Sequence, residues 1–519
     1  MLKPDREVVN GLALATLSGV FWFTACPGID LSFLAWIAAL PAIYVVERAS
    51  TLRRAILFAW WSGFIANLGG FYWMGGLFHR FGHMPWPLAG LLLLAFAAYQ
   101  GLIFLVFLTA LRVIRRRMSL PAGLVAPISL VAAELLVPVL FPFYLGFTQS
   151  WRPHVIQIAD LGGPLAVTAL LGMVNGAIYD LIAERQRRLV SFSIAAAVLI
   201  GALTYGHLRI RQIEARRAVA PKLRVGIVQS NIGFFSKGSD PARQLAGLQG
   251  RSAELQASGA ELIVWPETAY PYPISRHQSA DYSEGDERRI HRGFDAPLLF
   301  GAVTIDRRER PSLPRNTAIL LDADGSFKGR FDKIHLLPFG EYIPGYQKFP
   351  PIRAMLPETV MQFKRGEGVV TLPLREWRLG PMICYEDIIP QFGRRLAKLQ
   401  PHLMVNLTND AWFGDTTEPW EHLGLSVFRA VELRTDLVRA VNTGVSAYID
   451  ATGRVYGRSY VIDPSRTPRA ADKMMATVAL MESERTVYVR VGDAFGWLCA
   501  ATTAGLLVLS RFKPVRREG

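Results

Sequence analysis

Leu379-Gly380-Pro381-Met382-Ile383-Cys384-Tyr385-Glu386-Asp387 reads as an apolar strand that runs into a cysteine and then into acids. Two earlier runs have a related form. Leu262-Ile263-Val264-Trp265-Pro266-Glu267-Thr268 ends a strand-like run on a carboxylate. Phe331-Asp332-Lys333-Ile334-His335-Leu336-Leu337-Pro338-Phe339-Gly340-Glu341-Tyr342 carries a lysine with a glutamate further on. Alternating strands and helices collect reactive groups at strand ends and in the loops that follow. The three runs therefore predict one α/β domain with Glu267, Lys333 and Cys384 in a shared site.

Further strand-like runs lie at Leu223–Gln229, Leu298–Val303, Ala318–Leu321, Leu403–Asn406 and Val438–Asp450. Helical stretches are expected at Pro241–Ser258 and Leu423–Leu437. A free thiol is barely ionised at neutral pH, so a nucleophilic cysteine needs a base or a positive field. Glu267 can take the proton. Lys333 can stabilise the thiolate and then an oxyanion. Glu341 can hold the ammonium, and Glu386 can position a carbonyl.

Outside this domain the chain is apolar. Of 519 residues, 51% are hydrophobic and 11% aromatic, and the mean hydropathy is +0.23. A spanning helix needs ~20 apolar residues. Seven runs approach that length before residue 210: 8–26, 29–46, 55–77, 86–111, 120–143, 160–182 and 189–207, with another at 494–511. The expected organisation is a seven-span domain at 1–207, a soluble domain at 221–485 and a final helix at 494–511. Lys3 and Arg6 precede a run ending Phe23-Thr24-Ala25-Cys26, faintly like a lipoprotein cleavage box; retention as a first span is expected.

The net charge of +15 does not indicate nucleic acid, because no nucleic-acid-binding motif accompanies it. Much of the excess lies in short connections, such as Arg112, Arg115, Arg116 and Arg117. The intervening connections hold only Arg80 and Arg152. The positive-inside rule then puts both termini in the cytoplasm and the soluble domain outside. Cys26, Cys384 and Cys499 offer no disulfide framework. His79 and His83 are four apart without a third ligand, so neither metal nor cofactor is expected. Glu134, Asn67 and Asn175 in the spans read as inter-helix hydrogen-bonding groups.

The three reactive runs resemble those of the nitrilase superfamily, whose sites pair Glu, Lys and Cys. The fuller pattern is similar to the apolipoprotein N-acyltransferase family. It includes Asn406-Leu407-Thr408-Asn409-Asp410-Ala411-Trp412-Phe413-Gly414-Asp415 and Arg439-Ala440-Val441-Asn442-Thr443-Gly444-Val445-Ser446. The resemblance implies seven spans, an outer α-β-β-α sandwich and a last span in a bacterial inner membrane. It assigns Glu267 as general base, Lys333 as oxyanion stabiliser and Cys384 as acyl-accepting nucleophile, with Glu341, Tyr385 and Glu386 supporting them.

The implied reaction moves an acyl chain from a phospholipid, through a Cys384 thioester, to the α-amino group of a diacylglyceryl-modified apolipoprotein. The enzyme is expected to act as a monomer in the bilayer. Asn409, Trp412 and Phe413 are candidate substrate-binding residues. Many family members place a tryptophan shortly after the first strand; here Phe234 and Phe235 stand in that region. Phe349, Ile352, Met355 and Leu356 form a candidate lipid-facing loop. Two rivals use the same sequence: a membrane-tethered amidase acting on a small amide, and a transporter with an inactive soluble domain. The intact Glu, Lys and Cys, and spans without paired charges, argue against the transporter.

Overall fold

The structure, a computed structural model, describes residues 5–82, 84–183, 188–232, 240–338, 340–342, 362–461 and 472–514. His83, Phe234, Phe235 and the loop bearing Phe349 to Leu356 lie outside the described residues. The chain forms two compact units. One comprises Met1–Phe78, Pro85–Arg211 and Thr486–Gly519, and the other His79–Met84 with Gln212–Arg485.

The first unit is helical. By length and apolar composition, five described helices of the chain can cross a membrane: Arg6–Thr24, Trp86–Met118, Pro164–Ala183, Leu189–Val219 and Ala494–Arg511. The helices Leu52–Gly70 and Trp73–Arg80 meet at a 58° bend and make a sixth if taken as one span. Two expected spans differ. The run 29–46 forms the 3-10 turn Ser32–Trp36 and the nine-residue helix Leu40–Arg48, with Pro41 in its first turn, where a missing N–H costs nothing. The run 120–143 is helical only over Ala122–Leu136.

Buried polar groups in this unit bond to neighbouring segments, because a bare one is costly where water is excluded. Asn175 accepts from the Ala39 N–H at 2.9 Å and donates to the Ala35 carbonyl at 3.0 Å. Glu134 accepts from the Leu145 N–H at 2.8 Å. The Asn67 amide donates to Gly63 O within its own helix at 2.8 Å and accepts from Gln100 at 3.4 Å.

The second unit holds two sheets. Its strands are β1 Lys222–Gln229, β2 Leu262–Val264, β3 Ile274–Ser275, β4 Leu298–Ile305, β5 Arg315–Leu321, β6 Phe327–Asp332, β7 Leu372–Leu374, β8 Trp377–Ile383, β9 Leu403–Thr408, β10 Leu437–Val441, β11 Gly444–Ile449, β12 Val455–Val461 and β13 Asp472–Ala479. The first sheet runs β13-β1-β2-β4-β5-β6, with β3 on β4, and the second β12-β11-β10-β9-β8-β7.

Each sheet has three parallel strands at its heart, β1-β2-β4 and β8-β9-β10, extended on both sides by antiparallel strands. The parallel strands are apolar almost throughout, as strands covered on both faces must be. The helix Pro241–Ala257 packs Leu245, Leu248 and Leu255 onto the first sheet around Trp265 and Phe300. The helix Glu418–Leu433 is buried along its whole length beside the second sheet. Tyr448 on β11 donates its hydroxyl to Val225 O on β1 at 2.7 Å, tying the sheets face to face. This is the nitrilase-like arrangement of two sheets with outer helices.

Two boundaries moved. Val438–Asp450 is not one strand but the hairpin β10–β11, turned at Asn442 and Thr443, with Gly444 at φ +126°. The helix expected at Leu423–Leu437 runs Glu418–Leu433 and ends where Arg434 turns left-handed at φ +55°.

Candidate active site

Glu267 follows β2 on a tight turn. Thr268 there has φ +45°, and Gly301 on β4 lies so close that an added Cβ would meet Thr268 N at 2.4 Å and Pro266 O at 2.5 Å. Only glycine lets β4 approach the turn that aims Glu267. Lys333 follows β6, its backbone N–H donating to Asn316 O on β5 at 2.9 Å. Glu341 is placed by the Leu337 N–H, which donates to its Oε2 at 2.9 Å.

These side chains meet. Lys333 Nζ lies 3.1 Å from Glu267 Oε1 and 2.9 Å from Glu341 Oε2. Asn316 donates its amide to Glu267 Oε1 at 2.7 Å and to Glu341 Oε1 at 2.9 Å. All four are buried. Asn316 escaped the sequence reading because an asparagine within a strand carries no distinguishing pattern.

Cys384 begins a short turn, Cys384–Ile388, directly after β8, in the left-handed region at φ +55°. A non-glycine residue there is strained, and such strain gathers at functional positions. Glu386 braces the turn. Its Oε2 accepts from the Ile383 N–H at 2.9 Å, and its Oε1 from Ile334 at 2.7 Å and His335 at 3.0 Å. One carboxylate thus ties the cysteine turn to the lysine loop. Burial pushes its carboxyl up to about 7, against the pull of those three N–H groups. Asn406 on β9 donates to the Cys384 carbonyl at 2.8 Å. Tyr385 donates its hydroxyl to Leu336 O at 3.1 Å, and its ring centroid lies 5.9 Å from Lys333 Nζ.

The charges act on one another. Burial pushes the Cys384 thiol well above its ordinary value; Glu267 raises it further, and Lys333 pulls it back. Burial alone would lower the Lys333 pKa, but Cys384, Glu267 and Glu341 around it raise it well above the ordinary lysine value. Lys333 is therefore a fixed cation, and the thiol stays protonated until a base takes its proton.

Asn409 accepts from the Asn442 amide at 2.9 Å, linking the ends of β9 and β10. Trp412 and Phe413 lie at the turn Asp410–Trp412 that follows. The Phe81 ring is 4.5 Å from that of Trp412, and Arg80 donates to Phe413 O at 3.0 Å. Neither Arg80 nor Phe81 carried a functional signal in the sequence.

Asp410, Glu418 and His422 place ligand-type atoms within 4.8 Å of one another. The Arg439 guanidinium already contacts Asp410 Oδ2, at 3.1 Å, and both His422 nitrogens face carboxylates. The chain itself supplies the positive charge that this group of acids needs.

Comparison with known proteins places the chain in a family context. Residues 18–177 match the family model of the apolipoprotein N-acyltransferase N-terminal domain, and residues 224–468 that of carbon-nitrogen hydrolases. An apolipoprotein N-acyltransferase of Geobacter metallireducens is 30% identical over 525 residues, which cover 98% of this chain and 97% of the relative. Another, from Bdellovibrio bacteriovorus, is 31% identical over 451 residues, 80% of each chain. Among solved structures, a mutant amidase of the nitrilase superfamily from Nesterenkonia AN1 aligns over 53% of this chain and 97% of its own, at 20% identity and a TM-score of 0.37.

Proposed function

This chain belongs to the apolipoprotein N-acyltransferase family, and we propose that it acts through a thioester on Cys384. It is a membrane-embedded acyltransferase of lipoprotein maturation, with phospholipid and lipoprotein as its substrates.

In the proposed first half-reaction Glu267 takes the Cys384 proton. The thiolate adds to the ester carbonyl of a phospholipid, and Lys333 stabilises the oxyanion. Collapse breaks the ester C–O bond. The leaving alkoxide recovers the proton from Glu267 and departs as a lysophospholipid. In the second half-reaction Glu267 accepts a proton from the α-amino group of a diacylglyceryl-modified N-terminal cysteine as that nitrogen attacks the thioester. The C–S bond breaks, the amide forms, and the thiolate regains a proton. Glu341 holds Lys333, while Glu386 and Tyr385 hold the turn and loop that carry the reacting groups. Asn409, Trp412 and Phe413 are proposed to contact the acyl chains.

The observation that carries this reading is the buried Lys333 between Glu267 and Glu341, at 3.1 and 2.9 Å, within the electrostatic field of Cys384. A charged lysine and a carboxylate acting on a buried thiol are what stepwise acyl transfer requires. The membrane helices follow from the substrates. Each CH₂ drawn into water costs ~0.8 kcal/mol, so both lipids must react without leaving the bilayer. We place residues 221–485 as the catalytic domain on the periplasmic side of a bacterial inner membrane, both termini in the cytoplasm, following the arginine asymmetry. The enzyme is proposed to act as a monomer.

The test is turnover in phospholipid vesicles with a diacylglyceryl peptide bearing a free N-terminus. N-acylated peptide and lysophospholipid in equal amounts are expected. Hydrolysis of small amides with no acylated peptide would overturn the reading in favour of the tethered amidase.

A further inference from the structure

A second buried charge cluster includes Asp387 on the cysteine turn, and the mechanism above does not use it. His422, on the helix Glu418–Leu433, has both ring nitrogens on carboxylates. Nε2 is 2.9 Å from Asp387 Oδ1, and Nδ1 is 3.1 Å from Asp410 Oδ1. A neutral imidazole has one N–H and one lone pair. Whichever nitrogen were bare would point its lone pair at an anionic oxygen with no water between. Two close carboxylates therefore require two N–H groups.

The remaining groups around His422 agree. On its own helix, Glu418 Oε1 lies 3.7 Å from Nδ1, and the Ser426 hydroxyl donates to Asp387 Oδ2 at 2.6 Å. Glu421 is engaged by the Thr417 hydroxyl at 2.8 Å. From β10, Arg439 reaches Asp387 Oδ2 at 2.6 Å and Asp410 Oδ2 at 3.1 Å. Burial, then Asp410, push the Glu418 carboxyl above its ordinary value. The carboxyls of Asp387 and Asp410 each face both Arg439 and His422. With a neutral His422 the cluster would hold an uncompensated buried negative charge, which is costly.

We infer that His422 is held as an imidazolium at neutral pH, where it positions the Cys384 turn and offsets the negative field of Asp410 at the thiol. Asp387 lies on the same turn as Cys384, and Asp410 on the turn that carries Trp412. The imidazolium thus joins the nucleophile to a candidate substrate contact through one ring. Burial and Arg439 pull the His422 pKa down, but Asp387 and Asp410 raise it above the ordinary histidine value. Asp410 is among the groups that raise the Cys384 thiol. His422 is a positioning residue, one step from the reacting atoms.

The sign follows from linkage. A histidine raised in the folded state contributes stability that is complete below the ordinary histidine range and is lost as pH rises through the raised value. The test is the pH dependence of iodoacetamide alkylation at Cys384 in the full-length protein, read by peptide mapping to separate it from Cys26 and Cys499. His422→Gln is expected to shift the midpoint upward by about one unit, slowing alkylation on the order of tenfold at fixed pH. His422→Lys, which keeps the charge, is expected to return it most of the way. An unchanged midpoint in folded His422→Gln overturns the inference. If that variant does not fold, ¹⁵N-histidine spectra of the parent decide, with the His422 signal assigned through His422→Lys. Two protonated ring nitrogens at neutral pH are expected, and one bare nitrogen overturns it. Alkylation needs no acyl donor, so this result stands apart from the acyl-transfer reading.

Discussion

Two buried ion clusters flank Cys384, and they are balanced differently. Around Lys333 stand two carboxylates, Glu267 and Glu341, against one cation. Around Arg439 and His422 stand Asp387 and Asp410, each facing both cations, with the Glu418 carboxyl 3.7 Å from His422 Nδ1. The first has one more carboxylate than cation, and Glu267 is the proposed base. In the second, Asp387 and Asp410 each meet both a guanidinium and an imidazole. An unbalanced cluster can exchange a proton with substrate, whereas one whose aspartates each meet two cations can only hold its parts in place. The difference separates chemistry from positioning without appeal to either residue's name.

That contrast can be broken experimentally. The largest effect is expected from Glu267→Gln. Lys333 keeps Glu341, so the protein should unfold close to the parent temperature, while acyl transfer falls about 10²–10⁴-fold. Parallel loss of stability and activity would erase the distinction. Asp387→Asn should behave in the opposite sense. It leaves Arg439 and His422 with one anion, and breaking a buried pair costs about 3–5 kcal/mol. Thermal unfolding should show that loss, and activity in the folded fraction should fall far less than in Glu267→Gln. A Glu386→Gln variant cannot satisfy three N–H donors with one carbonyl oxygen. A stability loss of about 1–3 kcal/mol is expected, with the lysine loop exchanging its amide hydrogens faster. Ser426→Ala removes the hydroxyl's bond to Asp387 and the one it accepts from Arg439 without changing charge; about 1–2 kcal/mol is expected, with a small change in rate.

The sequence disclosed the reactive cluster better than the second, for a physical reason. Glu267 and Cys384 sit at or just beyond the ends of apolar strands that the sequence marks by itself, while Lys333 follows β6, a largely polar strand, and was legible from its own run instead. His422 lies on a helix buried on every face, where no polar stripe distinguishes it. Arg439 interrupts an apolar strand, yet nothing local indicates that its partners are Asp387 and Asp410. Asn316 is hidden in the same way on β5. The parallel strands were legible because burial on both faces makes them uniformly apolar. The β10–β11 turn was missed because Asn442-Thr443 is flanked by apolar residues on both sides, and the run reads as continuous. The short helices at 32–48 were missed because hydropathy reports apolar length, whereas Pro41 decides where a helix can start.

The central claim is the thioester, and intact mass tests it most directly. The full-length protein would be incubated with a phospholipid of known chains, beside Cys384→Ala, and weighed before any acceptor is added. The account predicts one acyl adduct on the parent, none on the variant, and its discharge by a diacylglyceryl peptide with a free N-terminus. Peptide acylation without any adduct on Cys384, or an adduct that survives in Cys384→Ala, would contradict it.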